Sequence, residues 1–164
     1  GDVLKICKIS LRDDHTSIKL SEELSDLGGK CLVDVLDSFD DYYKNRQKQN
    51  NSNSSYAGFI SKEMGHIDFN LTGEEIMNKF RAFYAWPKLY FIYGEDNVKV
   101  HEMKVLPRIE NYENGEIIKA NSEGIFVNCD DSCLVFTEIQ FPNKKKMLVS
   151  DYLKGNEINN IVLK

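Results

Sequence analysis

Thr72-Gly73-Glu74-Glu75-Ile76-Met77-Asn78-Lys79-Phe80-Arg81-Ala82-Phe83-Tyr84-Ala85-Trp86-Pro87 is the stretch from which the rest of the chain can be read. Thr72 and Glu75 stand at capping-box spacing. The hydroxyl can accept from the amide of Glu75 while the carboxylate reaches back, which satisfies two donors at a helix start. Ile76, Phe80 and Phe83 follow at helical spacing with Met77 beside them, so one face is apolar and Lys79 and Arg81 lie away from it. Proline disfavours the α region in the residue before it, so Trp86-Pro87 is predicted to stop the helix.

At 164 residues the chain has room for one ordinary domain, or for a small domain with a piece of another. An apolar fraction of 41% supports a packed core and argues against wholesale disorder. No run is long enough to span a bilayer. The start, Gly1-Asp2-Val3, lacks an initiator Met, a basic leader and a cleavage pattern, and it reads as a cut. The net charge of −5 argues against a strongly electrostatic nucleic-acid binder, so a nucleic-acid partner would have to rest on local patches. Cys7, Cys31, Cys129 and Cys133 form no secretory framework; reduced thiols in a cytoplasm are the plainer reading.

Outward from the central stretch, residues 3–11 read as a strand, and Arg12-Asp13-Asp14-His15 as the turn after it. Ile18, Leu20, Leu24 and Leu27, then Leu32, Val35, Leu36 and Phe39, predict two helical segments interrupted or kinked at Gly28-Gly29. Residues 44–55 contain no apolar side chain and are rich in Asn, Ser and Gln, the composition of a flexible linker. After Pro87 the pattern turns to strands: 89–93 and 98–106 around a hairpin signal at 94–97, then 116–120, 125–127 and 133–141. Short strands at this spacing suggest a small barrel. Ser150 is placed to cap a short closing helix that ends at Gly155.

Five blocks, Tyr56-Ala57, Lys62-Glu63, Ile67-Asp68-Phe69, Phe80-Arg81-Ala82-Phe83 and Trp86-Pro87, occur here in the order found at the junction of methionyl-tRNA formyltransferases, and the chain resembles the C-terminal portion of that family. It departs from the family pattern at Phe69, where Trp is usual, at Gly58-Phe59 and at Lys88-Leu89. The resemblance implies an α+β chain in which residues 1–43 are a strand and helices from the end of a Rossmann-like formyltransferase domain. Residues 44–66 would then be linker and junction, and residues 67–164 an OB-like C-terminal tRNA-binding domain. It implies a parent enzyme that transfers a formyl group from 10-formyltetrahydrofolate, as cosubstrate, to the amine of methionyl-initiator tRNA in the cytoplasm. Gly1-Asp2 continues the family motif Gly-Leu-Asp-Thr-Gly-Asp. The catalytic Asn, His and Asp of the family would therefore lie upstream of Gly1, and Asp2, matching the second Asp, takes no catalytic role. No catalytic residue is expected in this piece, no cofactor is expected bound to it, and the piece alone is expected to be inactive.

Lys144, Lys145 and Lys146 are the leading candidates for tRNA contact, because three adjacent cations can hold phosphates without reading sequence and the family pattern also has basic residues there. Lys62, at the junction, is next. Arg81 is a further candidate, although on a capped helix it can equally pair with Glu74 or Glu75, and that structural role is preferred. Trp86 can stack on a base, but before a proline it reads better as a packing anchor; with Pro87 and Asp68 it is assigned to the structural junction. Cys129 and Cys133 flank a turn and could face each other across it, yet a metal site would need two more ligands that His15, His66 and His101 do not supply by spacing. The expected partner is initiator methionyl-tRNA, held weakly through phosphates by a monomer without metal or membrane attachment. The alternatives are a sugar N-formyltransferase fragment, a stand-alone non-catalytic RNA-binding module and a remnant without function.

Overall fold

In the computed structural model, which describes residues 1–163, the capping box forms as the sequence predicts: Thr72 Oγ1 accepts from Glu75 N at 3.2 Å and Glu75 Oε2 accepts from Thr72 N at 2.9 Å. The helix it starts is Gly73–Ala82 (α3 in chain order), and Ile76 and Phe80 on it are buried. It ends at Ala82, four residues short of the Trp86-Pro87 peptide bond, which is cis. Proline therefore does not end the helix directly. Phe83, at the C-cap, turns its buried ring into the core, and the chain has left the helix before the proline is reached.

The molecule is α+β and divides into two units, Gly1–Phe59 and the remainder from Ile60. In the first unit Thr16 caps a single helix, α1 (Ser17–Asp37), which runs unbroken through Gly28-Gly29; α2 (Phe39–Lys44) follows. The predicted interruption is absent because two glycines cost about 2 kcal/mol relative to alanine, which leaves a helix of 21 residues continuous. The predicted strand at 3–11 is also corrected. Only Val3 makes a bridge, exchanging two backbone hydrogen bonds with Gln47 at 2.7 and 2.9 Å. A strand needs a neighbour to satisfy its backbone, and among the described residues 4–11 have none. Of the described residues in this unit only His15 and Val35 are buried. Polar contacts tie the segment to α1: Arg12 to Glu23 at 2.6 Å, His15 Nε2 to Glu23 at 3.2 Å, and Lys5 to Asp34. Residues 44–55 are exposed throughout, including the short helical turn at Asn51–Asn53.

The second unit holds a six-stranded antiparallel sheet: β1 (Tyr90–Tyr93), β2 (Asp96–Pro107), β3 (Ile117–Asn121), β4 (Gly124–Asn128), β5 (Ser132–Gln140) and β6 (Met147–Leu148). Its order is β1-β2-β5-β4-β3, with β6 on β5, and it curls into the half-barrel of an OB-like domain. β1 and β2 are joined through Gly94-Glu95, where Gly94 takes φ 64°, a region glycine enters without steric cost. Residues 161–163 lie along β3, with Ile117 N donating to Ile161 O and Leu163 N to Gly115 O. Alternation along the strands sends Phe91, Val98, Val100, Phe136 and Ile139 into one core with Ile67, Ile76 and Leu89. Phe91 and Phe136 stack at 5.1 Å in its middle.

Two further expectations are corrected. α4 (Val149–Tyr152) follows β6 directly with Leu148 at its N-cap, so Ser150 lies inside the helix and does not cap it. Cys129 and Cys133 are buried free thiols that pack into two different apolar clusters and do not face each other.

Candidate nucleic-acid interface

The turn after Pro87 places Lys88 in the left-handed region, φ 69°. Its ammonium donates to Tyr84 O at 2.8 Å and lies 4.9 Å from the centre of the Tyr84 ring. β2 carries Lys99, set between Tyr90 of β1 and Gln140 of β5 by the register, with Val98 and Val100 on either side turned into the core. The pairing of β2 with β5 slips around His101, which has no partner in the register. Such a bulge re-aims a side chain. His101 Nε2 donates to Gln140 Oε1 at 2.9 Å, and Gln140 Nε2 donates to Lys144 O at 2.8 Å.

That second bond fixes the lysine loop. Asn143 turns it with φ 59°, Lys144 N donates back to Phe141 O, and Lys146 Nζ meets Glu138 of β5 at 3.1 Å. Lys144, Lys145 and Lys146 are all exposed. The result is a group of cations drawn from three separated parts of the chain. The Lys88 ammonium has its pKa pushed down, first by burial and then by the neighbouring charges of Lys146 and Lys99, while Glu138 and Glu102 oppose that shift. The His101 imidazole is pushed down by burial first, with Gln140 opposing and Lys88 and Lys146 adding to the repulsion. Neighbouring cations repel one another, and a bound anion offsets that repulsion by favouring the charged form of each.

Beside the group lies a hollow of about 340 Å³ lined by Lys62, Glu63, Trp86, Pro87, Tyr90, Asn97 and Lys99. Pro87 is buried and Trp86 is 49% exposed, so Trp86 packs on one side and lines the hollow on the other. A half-exposed indole in a hollow that two lysines also line can stack on a flat base while the ammonium groups hold phosphate. Asp68 stands elsewhere, accepting from Asn70 N and Nδ2 at 3.0 Å in the turn that leads into Thr72. Arg81, on α3, donates to Asn78 Oδ1 at 2.6 Å.

The structure thus brings Lys146 within electrostatic reach of Lys88 and His101, and puts Lys62 and Lys99 in the lining of one hollow. Sequence reasoning singled out the lysine run and Lys62 as candidates and did not single out Lys88, Lys99 or His101 for this face. The one local signal was the alternation Val98-Lys99-Val100, which turns Lys99 outward.

A family model described as formyl transferase, C-terminal domain, matches residues 59–157. Among characterised proteins the chain is similar to methionyl-tRNA formyltransferase of Finegoldia magna, 36% identical over 156 residues, which are 95% of this chain and 50% of that protein. The same enzyme of Clostridioides difficile is 35% identical over 158 residues, 96% of this chain and 51% of that protein. The chain therefore spans about half the length of these relatives. A solved structure of a HypX variant from Aquifex aeolicus shares the fold with a TM-score of 0.64 at 16% identity, over 94% of this chain and 28% of that one. HypX from the same organism in complex with tetrahydrofolic acid gives 0.62 at 16% identity, over 94% and 27%.

Proposed function

The chain belongs to the formyltransferase C-terminal domain family, and from that premise we propose that it is part of a methionyl-tRNA formyltransferase and supplies contacts to the tRNA acceptor arm. The parent reaction moves a formyl group from 10-formyltetrahydrofolate to the amine of methionyl-initiator tRNA, the first aminoacyl-tRNA used in protein synthesis. The methionyl-tRNA formyltransferases at 36% and 35% identity support this reading over a sugar N-formyltransferase. We assign the transfer step and the folate site to the half of the relatives that this chain does not span, and the location to the cytoplasm, where translation supplies the tRNA.

The observation that carries the binding role is the gathering of Lys88, Lys99 and Lys146 in a chain whose net charge is −5. Lys144 and Lys145 extend the group, and Lys62 continues it past Trp86. Three or four phosphates could be met there, giving weak, salt-sensitive binding by a single copy of the chain. Arg81, engaged with Asn78, is read as a helix contact first. Binding of initiator methionyl-tRNA to the 164-residue chain, measured by filter retention across a salt series, tests the role. Changing Lys144, Lys145 and Lys146 together to Ala should weaken binding about tenfold at low salt and flatten the salt slope by about 2 to 3. Binding and slope unchanged in the triple variant would overturn the site. No binding by the unaltered chain would remove the binding role from this half of the protein.

A further inference from the structure

The first unit holds a pair of thiols that the proposed function does not use. Cys7, in the extended segment 4–11, has its Sγ 2.7 Å from the Sγ of Cys31 on α1, 24 residues away along the chain. Both are free, and both are partly accessible, unlike the buried Cys129 and Cys133. A disulfide bond measures about 2.0 Å between sulfurs, so closing this pair asks for a shift of about 0.7 Å, within the reach of small side-chain rotations. Around the pair the segment meets α1 and α2 through Lys5, which pairs with Asp34 and donates to the Tyr42 hydroxyl at 3.1 Å.

We propose that Cys7 and Cys31 are a reversible oxidation site, a dithiol that a hydroperoxide converts to an internal disulfide clamping segment 4–11 onto α1. The step balances. One thiol loses its proton to solvent, and the thiolate attacks a peroxide oxygen. The O–O bond breaks, hydroxide leaves and takes up a proton, and a sulfenic acid stands on that sulfur. The second sulfur attacks it, the S–S bond forms, and water departs with the remaining proton. Two thiols and one hydrogen peroxide give one disulfide and two waters. Cys31 holds its proton firmly, chiefly through the contact with Cys7 and then through burial, so Cys7 makes the first attack and Cys31 the second. In a reducing compartment such a pair rests as thiols and closes only under oxidant, the behaviour of a sensor and not of a structural bridge.

The test treats the intact 164-residue chain with hydrogen peroxide, unfolds it, alkylates the remaining thiols and maps a tryptic digest by mass spectrometry. The expected product is a peptide pair joining Cys7 to Cys31, lighter by two hydrogen atoms than the separate reduced peptides. It should be reopened by dithiothreitol, with Cys129 and Cys133 alkylated throughout. Sulfinic acid at either residue, or links between chains in place of the internal pair, would overturn the proposal. A Cys31→Ser chain adds a second reading. Without its partner the sulfenic acid on Cys7 should persist and be trapped by dimedone, whereas the parent chain should show little trapping. Equal trapping in both would show that Cys31 does not resolve Cys7 and would overturn the pairing.

Discussion

Asp131 holds the start of a helix that lies 58 residues before it, its Oδ1 accepting from Gly73 N at 2.8 Å. The same carboxylate accepts from Ser132 Oγ at 2.8 Å, so one side chain ties α3 to the beginning of β5. Close approach is the condition for this bond. A methyl group at Gly73 would stand 2.7 Å from Val105 Cγ1 and 2.8 Å from Ser132 Cβ, tighter than packed carbons tolerate. Gly73→Ala must therefore push β2 and β5 away or lengthen the bond, and a loss of about 1–3 kcal/mol is expected, against about 1 kcal/mol for Thr72→Ala, which removes only the cap. Urea unfolding measures both, and a Gly73→Ala chain as stable as its parent would refute the packing argument. Thr72 and Glu75 were legible in the sequence because the capping box is a rule of spacing three. Asp131 was not, since no local rule relates residues brought together only by the sheet.

β2 and β5 are the pair of elements on which the cationic face is built, and their register carries a conflict. Glu102 stands opposite Glu138, and like charges across a strand pair destabilise it. Lys146 on Glu138 offsets that repulsion, and His101, displaced by the slip in register, bonds to Gln140 of the other strand. Burial and the nearby Lys88 and Lys146 keep His101 neutral to lower pH than the usual 6.5, against the pull of Gln140 and Glu138. An unfolded chain protonates near 6.5, before the folded one does. His101 thus contributes its full stability above that pH and loses it as the pH falls from 6.5 through the lower folded value. Glu75 and Asp131, whose carboxyls are held below their usual 4.5 and 3.8 by hydrogen bonds, act in a separate and more acid window. His101→Gln should flatten the decline in unfolding midpoint between about pH 7 and pH 5.5, and an unchanged decline would show that His101 is not its source. At this scale the strand order of β1 to β5 was legible only as a list of strands. α1 was misread because a glycine pair is a local signal, while continuity depends on the whole length of the helix. Segment 3–11 was misread because strand composition says nothing of whether a neighbour is present.

For the molecule as a whole, the acidic balance conceals the cationic face proposed to bind tRNA. A net charge of −5 argued for weak binding to nucleic acid, and only the fold shows that Lys99 and Lys146 lie within electrostatic reach of Lys88. The lysine run was legible because it is contiguous; its partners come from the turn after Pro87 and from β2, and no spacing in the sequence relates them. The family was legible through the order of five short blocks, a pattern that residue chemistry alone would not interpret. The division of labour proposed above predicts that the purified chain, given initiator methionyl-tRNA and 10-formyltetrahydrofolate, forms no formylmethionyl-tRNA in a radiolabel assay. Formyl transfer by this chain would overturn that division. Residues 161–163 bring a practical consequence. By pairing with Gly115 and Ile117 they seal the open edge of β3, and Leu163 is buried in doing so. An unsealed edge strand is a template on which other chains can add. Proteolytic trimming of these few residues would therefore convert a well-behaved domain into one prone to aggregation, and a tag or fusion placed directly after them risks the same outcome.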